Sequence, residues 1–239
     1  MEGGAKLPEY ESWLAFLYKF GVPEWIPDTC LLFVFVCLCL CIFAFFAGRN
    51  LSLRTPGKFQ IFVEWVVTSL SNFVESICPS EKKILTPVLS SLFLFILCSN
   101  YLGNIPGFVS PTKSIMTTAT LGGMAFIFFM FMGFYRQGFK YLMHYVGTPI
   151  WLFPINIPIH IIGDLAKPIS LSCRLYGNIY GEEMVVTVLM FLAISVIKAP
   201  WFPLQLPLQC LGLLTGFIQA FVFTLLVGIY VNMAVSHEE

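Results

Sequence analysis

The chain has 239 residues, of which 58% are hydrophobic and 11% charged; Lys and Arg (13) balance Asp and Glu (13), for a formal net charge of zero. Soluble domains carry about 25% charged residues, so this composition excludes an ordinary soluble domain and points to an all-α, polytopic membrane protein. The neutral balance gives no basis for a nucleic-acid partner, and without a G-x-x-x-x-G-K-[ST], H-E-x-x-H or C-x-x-C pattern no cofactor or metal site is expected.

In chain order, residues 1–28 are polar, with Glu2, Glu9, Glu11, Glu24 and Asp28 set against Lys6 and Lys19. They lack the pattern of a cleaved signal and are read as an outside-facing segment ahead of one membrane domain, 29–239. Residues 29–48 make a first span of bilayer length. Cys37, Cys39 and Cys41 alternate inside it and read as small packing residues rather than a disulfide framework. Arg49, Arg54 and Lys58 follow. Basic residues collect on the cytoplasmic side, so the N-terminus is expected outside. Residues 58–78 carry too many polar groups for a comfortable span and suit an amphipathic helix on the inner surface.

Spans over 87–103 and 114–135 come next. Arg136, Lys140 and His144 follow the second, again on the expected inner side. Pro149, Pro154, Pro158 and Pro168 then predict short helices or a re-entrant hairpin over 147–168. A long helix is expected over 159–197, a break at Pro200, Pro203 and Pro207, and a last helix over 204–235. This gives five membrane-crossing helices with the C-terminus in the cytoplasm. At about 1.5 Å per residue the element 159–197 reaches about 60 Å, roughly twice the hydrocarbon core. It must therefore tilt steeply or bend, and with the last helix it forms a slanted hairpin.

That long element carries the unexpected polar residues. Charged groups inside a membrane are costly and by default functional. On a helix, Asn178 lies about 40° round from Arg174, Glu182 about 80° and Glu183 about 180°, while His160 and Asp164 return to within about 40° and 80°. His160 and Asp164 lie toward the cytoplasm, and Glu182 and Glu183 toward the outside. On the last helix Gln219 is the strong polar group, preceded by Gly212 and Gly216, which permit close helix approach. An arginine keeps its charge when desolvated, whereas carboxylates and imidazoles change protonation. One fixed cation flanked by titratable groups suits ion movement. The alternative is purely structural: Arg174 paired with Glu182 or Glu183, Asp164 paired with His160 or Lys167, and Gln219 in an interhelical hydrogen bond.

The segment "LAKPISLSCRLYGNIYGEE" resembles the signature of subunit a of the F-type ATP synthase. "LFLFILCSNYLGNIPGFVSPT", with its N-x-x-G-x-x-P-G pattern, and "IQAFVFTLLVGIYVNMA" resemble two further segments of that family. The resemblance runs from about residue 56 to the C-terminus. It implies a multi-pass subunit of the bacterial inner membrane whose tilted hairpin packs against a ring of c subunits, within a complex that includes peripheral-stalk b subunits. The subunit catalyses no bond-breaking itself. It forms two offset half-channels that bring protons or sodium ions to and from the ring carboxylates. The family's essential arginine falls on Arg174, its asparagine on Asn178, its outer-channel glutamate on Glu183 and its last-helix glutamine on Gln219. Some members have His where this chain has Gly212, and Gly where it has Glu182, so Glu182 is expected to stand in for the missing group beside the outer half-channel. His160 and Asp164 occupy the region of the inner half-channel. A secondary ion transporter and a structural membrane anchor are the competing functions; the first lacks an internal repeat, and the second leaves the buried charges unexplained.

Overall fold

A bilayer core offers the backbone no hydrogen-bonding solvent, so a chain crossing it by helices must satisfy its amides internally. The computed structural model of the chain describes residues 28–49, 57–105, 110–138, 153–195 and 206–235, and among them there is no strand. Six helices make up almost all of it: α1 (Asp28–Arg49), α2 (Lys58–Ile77), α3 (Lys82–Leu102), α4 (Ile115–Gln137), α5 (Phe153–Ser195) and α6 (Leu206–Val235). Short 3-10 turns over Pro79–Glu81 and Pro111–Lys113 lead into α3 and α4. The expected N-terminal segment, Arg54, Lys140, His144, and the break at Pro200 and Pro203 lie outside the described residues.

Among the described residues, four stretches are long and apolar enough to cross a membrane: Thr29–Arg49, Pro79–Leu102, Ile115–Gln137 and Leu206–Val235. The protein is therefore all-α and polytopic. α5, expected as a fifth crossing element, is not among the four, because His160, Asp164, Lys167, Arg174, Glu182 and Glu183 interrupt its apolar sequence. Its 43 residues form one helix, about 65 Å long at 1.5 Å per residue. This corrects the expectation of short helices or a hairpin for the part of that region described here: α5 starts at Phe153 and runs through both Pro158 and Pro168. Pro154 falls in the first turn, where a missing N–H costs nothing. Each later proline forfeits one backbone hydrogen bond, a loss that membrane helices tolerate where neighbours pack against them. Pro168 is itself buried, and its carbonyl accepts a 2.7 Å hydrogen bond from Ser172 Oγ. α3 likewise begins earlier than the expected 87 and contains Pro87.

The core lies where α3, α4, α5 and α6 meet, and the buried residues recur every three or four positions as helical packing requires. They are Leu85, Leu89, Phe93 and Ile96 on α3; Leu121, Ala125, Phe129 and Met132 on α4; Leu171, Leu175 and Ile179 on α5; and Ala220, Phe223, Val227 and Val231 on α6. α2 packs on α3 and α6, with the Phe73 and Phe221 rings 4.7 Å apart. Its Phe59, Phe62 and Trp65 stay exposed, as on a helix lying at an apolar boundary. All eight cysteines are free.

Polar ties fix the ends of α3 and α4. The buried Glu81 pairs with Arg136. Gln137 Nε2 donates to the Ala234 carbonyl on α6 at 3.0 Å. α4 approaches α5 closely enough that a Cβ on Gly122 would press on Ser172 Oγ and come within 2.8 Å of the Pro168 carbonyl oxygen. Gly122→Ala is therefore expected to push the two helices apart and cost about 1–3 kcal/mol, the usual penalty of overpacking. The measurement is the thermal unfolding midpoint in detergent. Adding Ser172→Ala should recover only part of the loss, because the Pro168 carbonyl remains; full recovery would place the conflict at the hydroxyl alone.

Candidate functional site

On α5 the sequence alternates between a buried stripe and an open one. Leu171, Leu175 and Ile179 face the core, whereas Cys173, Arg174, Gly177 and Asn178 are exposed. The open stripe of α5 and the neighbouring turn of α6 line a groove of about 590 Å³, with Arg174 and Asn178 on one wall and Thr215, Ile218 and Gln219 on the other. Gln219 is only 6% exposed, and its Nε2 has no hydrogen-bond partner among the described residues. Arg174 has no ion-pair partner among them either. A guanidinium and an amide donor, both without an acceptor, thus share one open groove.

Both glutamates that a structural reading assigned to Arg174 are held elsewhere. Glu183 Oε1 accepts from Lys113 Nζ at 2.7 Å. Glu182 turns the other way, toward α6. Its Oε2 lies 3.3 Å from Thr215 Oγ1, and its carboxylate fills the space beside Gly212, where a Cβ would overlap it. About 100° separates consecutive helical side chains, which is why adjacent glutamates reach different neighbours. They still border one small cavity of about 70 Å³, together with Asn100, Asn104, Ser110 and Gln209.

A buried polar network braces that cavity. Asn100 Nδ2 donates to the Gly216 carbonyl at 3.0 Å, and Thr112 Oγ1 donates to Asn100 Oδ1 at 3.0 Å. Ser110 Oγ lies 2.6 Å from Thr112 Oγ1 and 2.9 Å from the Ser99 carbonyl. Gly216 admits this approach, with a built Cβ 3.3 Å from Asn100 Cβ. The network pins the Pro111–Lys113 turn and α3 to α6, so it sets where Lys113 stands.

Below the groove, the other two candidates lie on the same helix. Asp164 is paired at 2.6 Å with Lys167, one of the local pairings open from the sequence. Lys167 Nζ also sits over the rings of Phe129 and Tyr230, at 5.4 and 5.3 Å from their centres. His160 is half-buried one turn before Asp164. The structure thus gathers Arg174, Asn178 and Gln219 in one groove and Glu182 and Glu183 at a second cavity, with His160 and Asp164 separate from both. Among the described residues, no three His, Cys, Asp or Glu side chains converge as metal ligands.

Residues 30–232 match the family described as ATP synthase A chain. The chain belongs to this family. It is 44% identical over 191 residues to the ATP synthase subunit a of Syntrophobacter fumaroxidans, covering 80% of this chain and 77% of that relative. Identity to the ATP synthase subunit a of Geobacter sulfurreducens is 39% over 208 residues, 87% of this chain and 83% of the relative. To that of Oleidesulfovibrio alaskensis it is 40% over 182 residues, 76% and 75%. The groove, the glutamate cavity and the polar network all lie within the part that matches the family.

Lys113, Asn100, Ser110, Thr112 and Thr215 are the site residues that the sequence reading did not single out. Asn100 stood in a recognised motif without an assigned role; Lys113 was legible only as an isolated basic residue on an outer turn. The network makes a quantitative prediction. Asn100→Ala leaves the Thr112 hydroxyl without its acceptor and is expected to cost about 1–3 kcal/mol. Thr112→Val should cost less. The double variant should fall short of the sum, since the two residues share a bond. Unfolding midpoints of the three variants in detergent check this, and strict additivity would show that the bond carries no energy.

Proposed function

We propose that this chain is the membrane stator subunit of an F-type ATP synthase. On this reading it conducts protons or sodium ions through two offset half-channels to and from the carboxylates of a c-ring, coupling ion flow to rotary ATP synthesis or hydrolysis. The observation that carries the proposal is the exposed Arg174 without an anion, facing the same groove as the unpartnered donor of Gln219. A cation at membrane depth costs about 2.5–3.5 kcal/mol even on the lowest scales, so the arrangement calls for an anion from outside the chain. A ring carboxylate passing along the groove supplies it and is held ionised while opposite Arg174 and Gln219. Asn178, on the Arg174 face, borders the same passage.

The half-channels follow from height along α5. Glu183 is nine residues beyond Arg174, about 13 Å at 1.5 Å per residue, and is assigned to the outer half-channel with Glu182. His160, fourteen residues before Arg174 and about 21 Å away, is assigned with Asp164 to the inner half-channel. Arg174 separates the two paths, so an ion crosses only by riding the ring. The chain itself breaks no bond. It works beside the c-ring, the peripheral-stalk b subunits and the rest of the complex, in a bacterial inner membrane, with the N-terminus outside and the C-terminus cytoplasmic. An anchoring role alone would give Arg174 no reason to face the groove without an anion.

Arg174→Ala complexes are expected to assemble but to show no ATP-driven ion pumping in vesicles. Arg174→Lys should recover little, because an ammonium lacks the planar fork that meets a carboxylate from a fixed angle and loses its charge more readily on desolvation. Coupled pumping at the native rate in Arg174→Ala vesicles would overturn the mechanism.

The Glu182–Gly212 contact generates a second test. Glu183→Gln should slow pumping severely and Glu182→Gln only partly. Gly212→His should be damaging alone, because the imidazole needs the space that the Glu182 carboxylate fills. Glu182→Gly together with Gly212→His should pump faster than either single variant. A double variant no better than Glu182→Gly alone would remove the exchange argument.

A further inference from the structure

Lys167 is a second cation on the Arg174 side of α5. It stands seven residues before Arg174, within about 20° of it at 100° per residue and about 10 Å closer to the inner end of the helix. The mechanism above gives it no task. An uncompensated ammonium at this point would oppose any cation moving between the ring and the cytoplasm.

The fold encloses this ammonium, whereas it leaves the guanidinium of Arg174 at an open groove. Lys167 Nζ lies 2.6 Å from Asp164 Oδ1, and the two side chains are 25% and 16% exposed. Phe129 from α4 and Tyr230 from α6, with ring centres 6.2 Å apart, both present their faces to the ammonium. Aromatic faces attract a cation but contribute no net charge. The counter-charge has one source here. Neither α4 nor α6 contains an acidic residue. The other acidic residues of α5, Glu182 and Glu183, lie more than about 20 Å further along the helix and hold other partners. Among these three helices Asp164 is the carboxylate within reach of Lys167.

A carboxylate that carries ions must give up its negative charge in every cycle. Each time Asp164 did so, Lys167 would be left withdrawn from water with two rings and no anion. Stranding one member of a withdrawn ion pair is costly, whereas removing both charges together is often tolerated.

We propose that Asp164 is a positioning residue of the inner half-channel and not an ion carrier. As the permanent counter-ion of Lys167 it cancels a second positive charge on the ion path, so the fixed cation beside the ring is Arg174. This rests on the assignment of His160 and Asp164 to the inner half-channel, and it leaves exchange there to His160 and water.

The test uses the assembled complex in inverted vesicles, whose bath contacts the inner half-channel. ATP-driven acidification is measured per assembled complex, relative to the wild type, in low and in high choline chloride. Asp164→Asn should be slowed severalfold in low salt. It should recover part of the loss in high salt, which screens the exposed part of the freed ammonium. Asp164→Asn with Lys167→Met should pump severalfold faster than Asp164→Asn alone and should lose the extra salt dependence. A carrier role for Asp164 would leave the double variant as slow as the single one. A merely structural pair would give a loss that salt does not move. Either result overturns the proposal, as does native pumping by Asp164→Asn in low salt. Should Asp164→Asn fail to assemble, the double variant decides the matter: an assembled double variant without pumping overturns the proposal. His160→Leu separates the two levels. Native pumping by His160→Leu would sink the inner half-channel assignment together with this inference. Slow pumping by His160→Leu, with an Asp164→Asn loss that Lys167→Met does not relieve, removes the inference alone.

Discussion

A guanidinium cannot be neutralised by giving up its proton at any ordinary pH, so a helix that carries one into a membrane needs an anion, water or a polar neighbour. In this chain both candidate anions on the same helix are committed elsewhere, Glu183 to Lys113 and Glu182 to the α6 surface. Arg174 is left facing an open groove. The unmet charge distinguishes one face of α5, and the other features of the fold keep that face in place.

The support is mechanical. A helix of 43 residues with two internal prolines would bend if left alone. α4 clasps its middle where Gly122 lets Ser172 and the Pro168 carbonyl come close. The buried stripe Leu171, Leu175 and Ile179 holds its rotation, which fixes the direction of Arg174 one residue, or about 100°, away. α6 is held in turn by Asn100 through Gly216 and by Gln137 through the Ala234 carbonyl. Small residues thus serve twice: they bring helices near, and they leave room for a specific polar side chain.

The same economy separates the two glutamates. Neighbours in sequence, they diverge by one helical step, so one meets a lysine from the α3–α4 connection and the other a glycine on α6. Burying two like charges side by side is unfavourable, and giving each its own partner lowers that repulsion. Glu182 stands where a side chain at position 212 would otherwise be. The two positions share one volume between the helices.

The amino-acid sequence by itself determined the membrane setting, the helical class, the positions of most helices, and the polar set of Arg174, Asn178, Glu182, Glu183 and Gln219. These follow from composition and from periodicities of three or four residues, which are local properties of a helix. The continuity of α5 through Pro158 and Pro168 was not legible, because proline breaks a helix in isolation and only neighbouring helices decide whether it does so in a protein. Nor were the partners. Lys113 meets Glu183 across 70 residues and Asn100 meets Gly216 across 116; no local pattern records such distances. Tertiary packing alone decided that the two glutamates would be occupied and that Arg174 would not. Charge partners are selected by the three-dimensional approach of helices, and that approach is set by where glycines allow backbones to close.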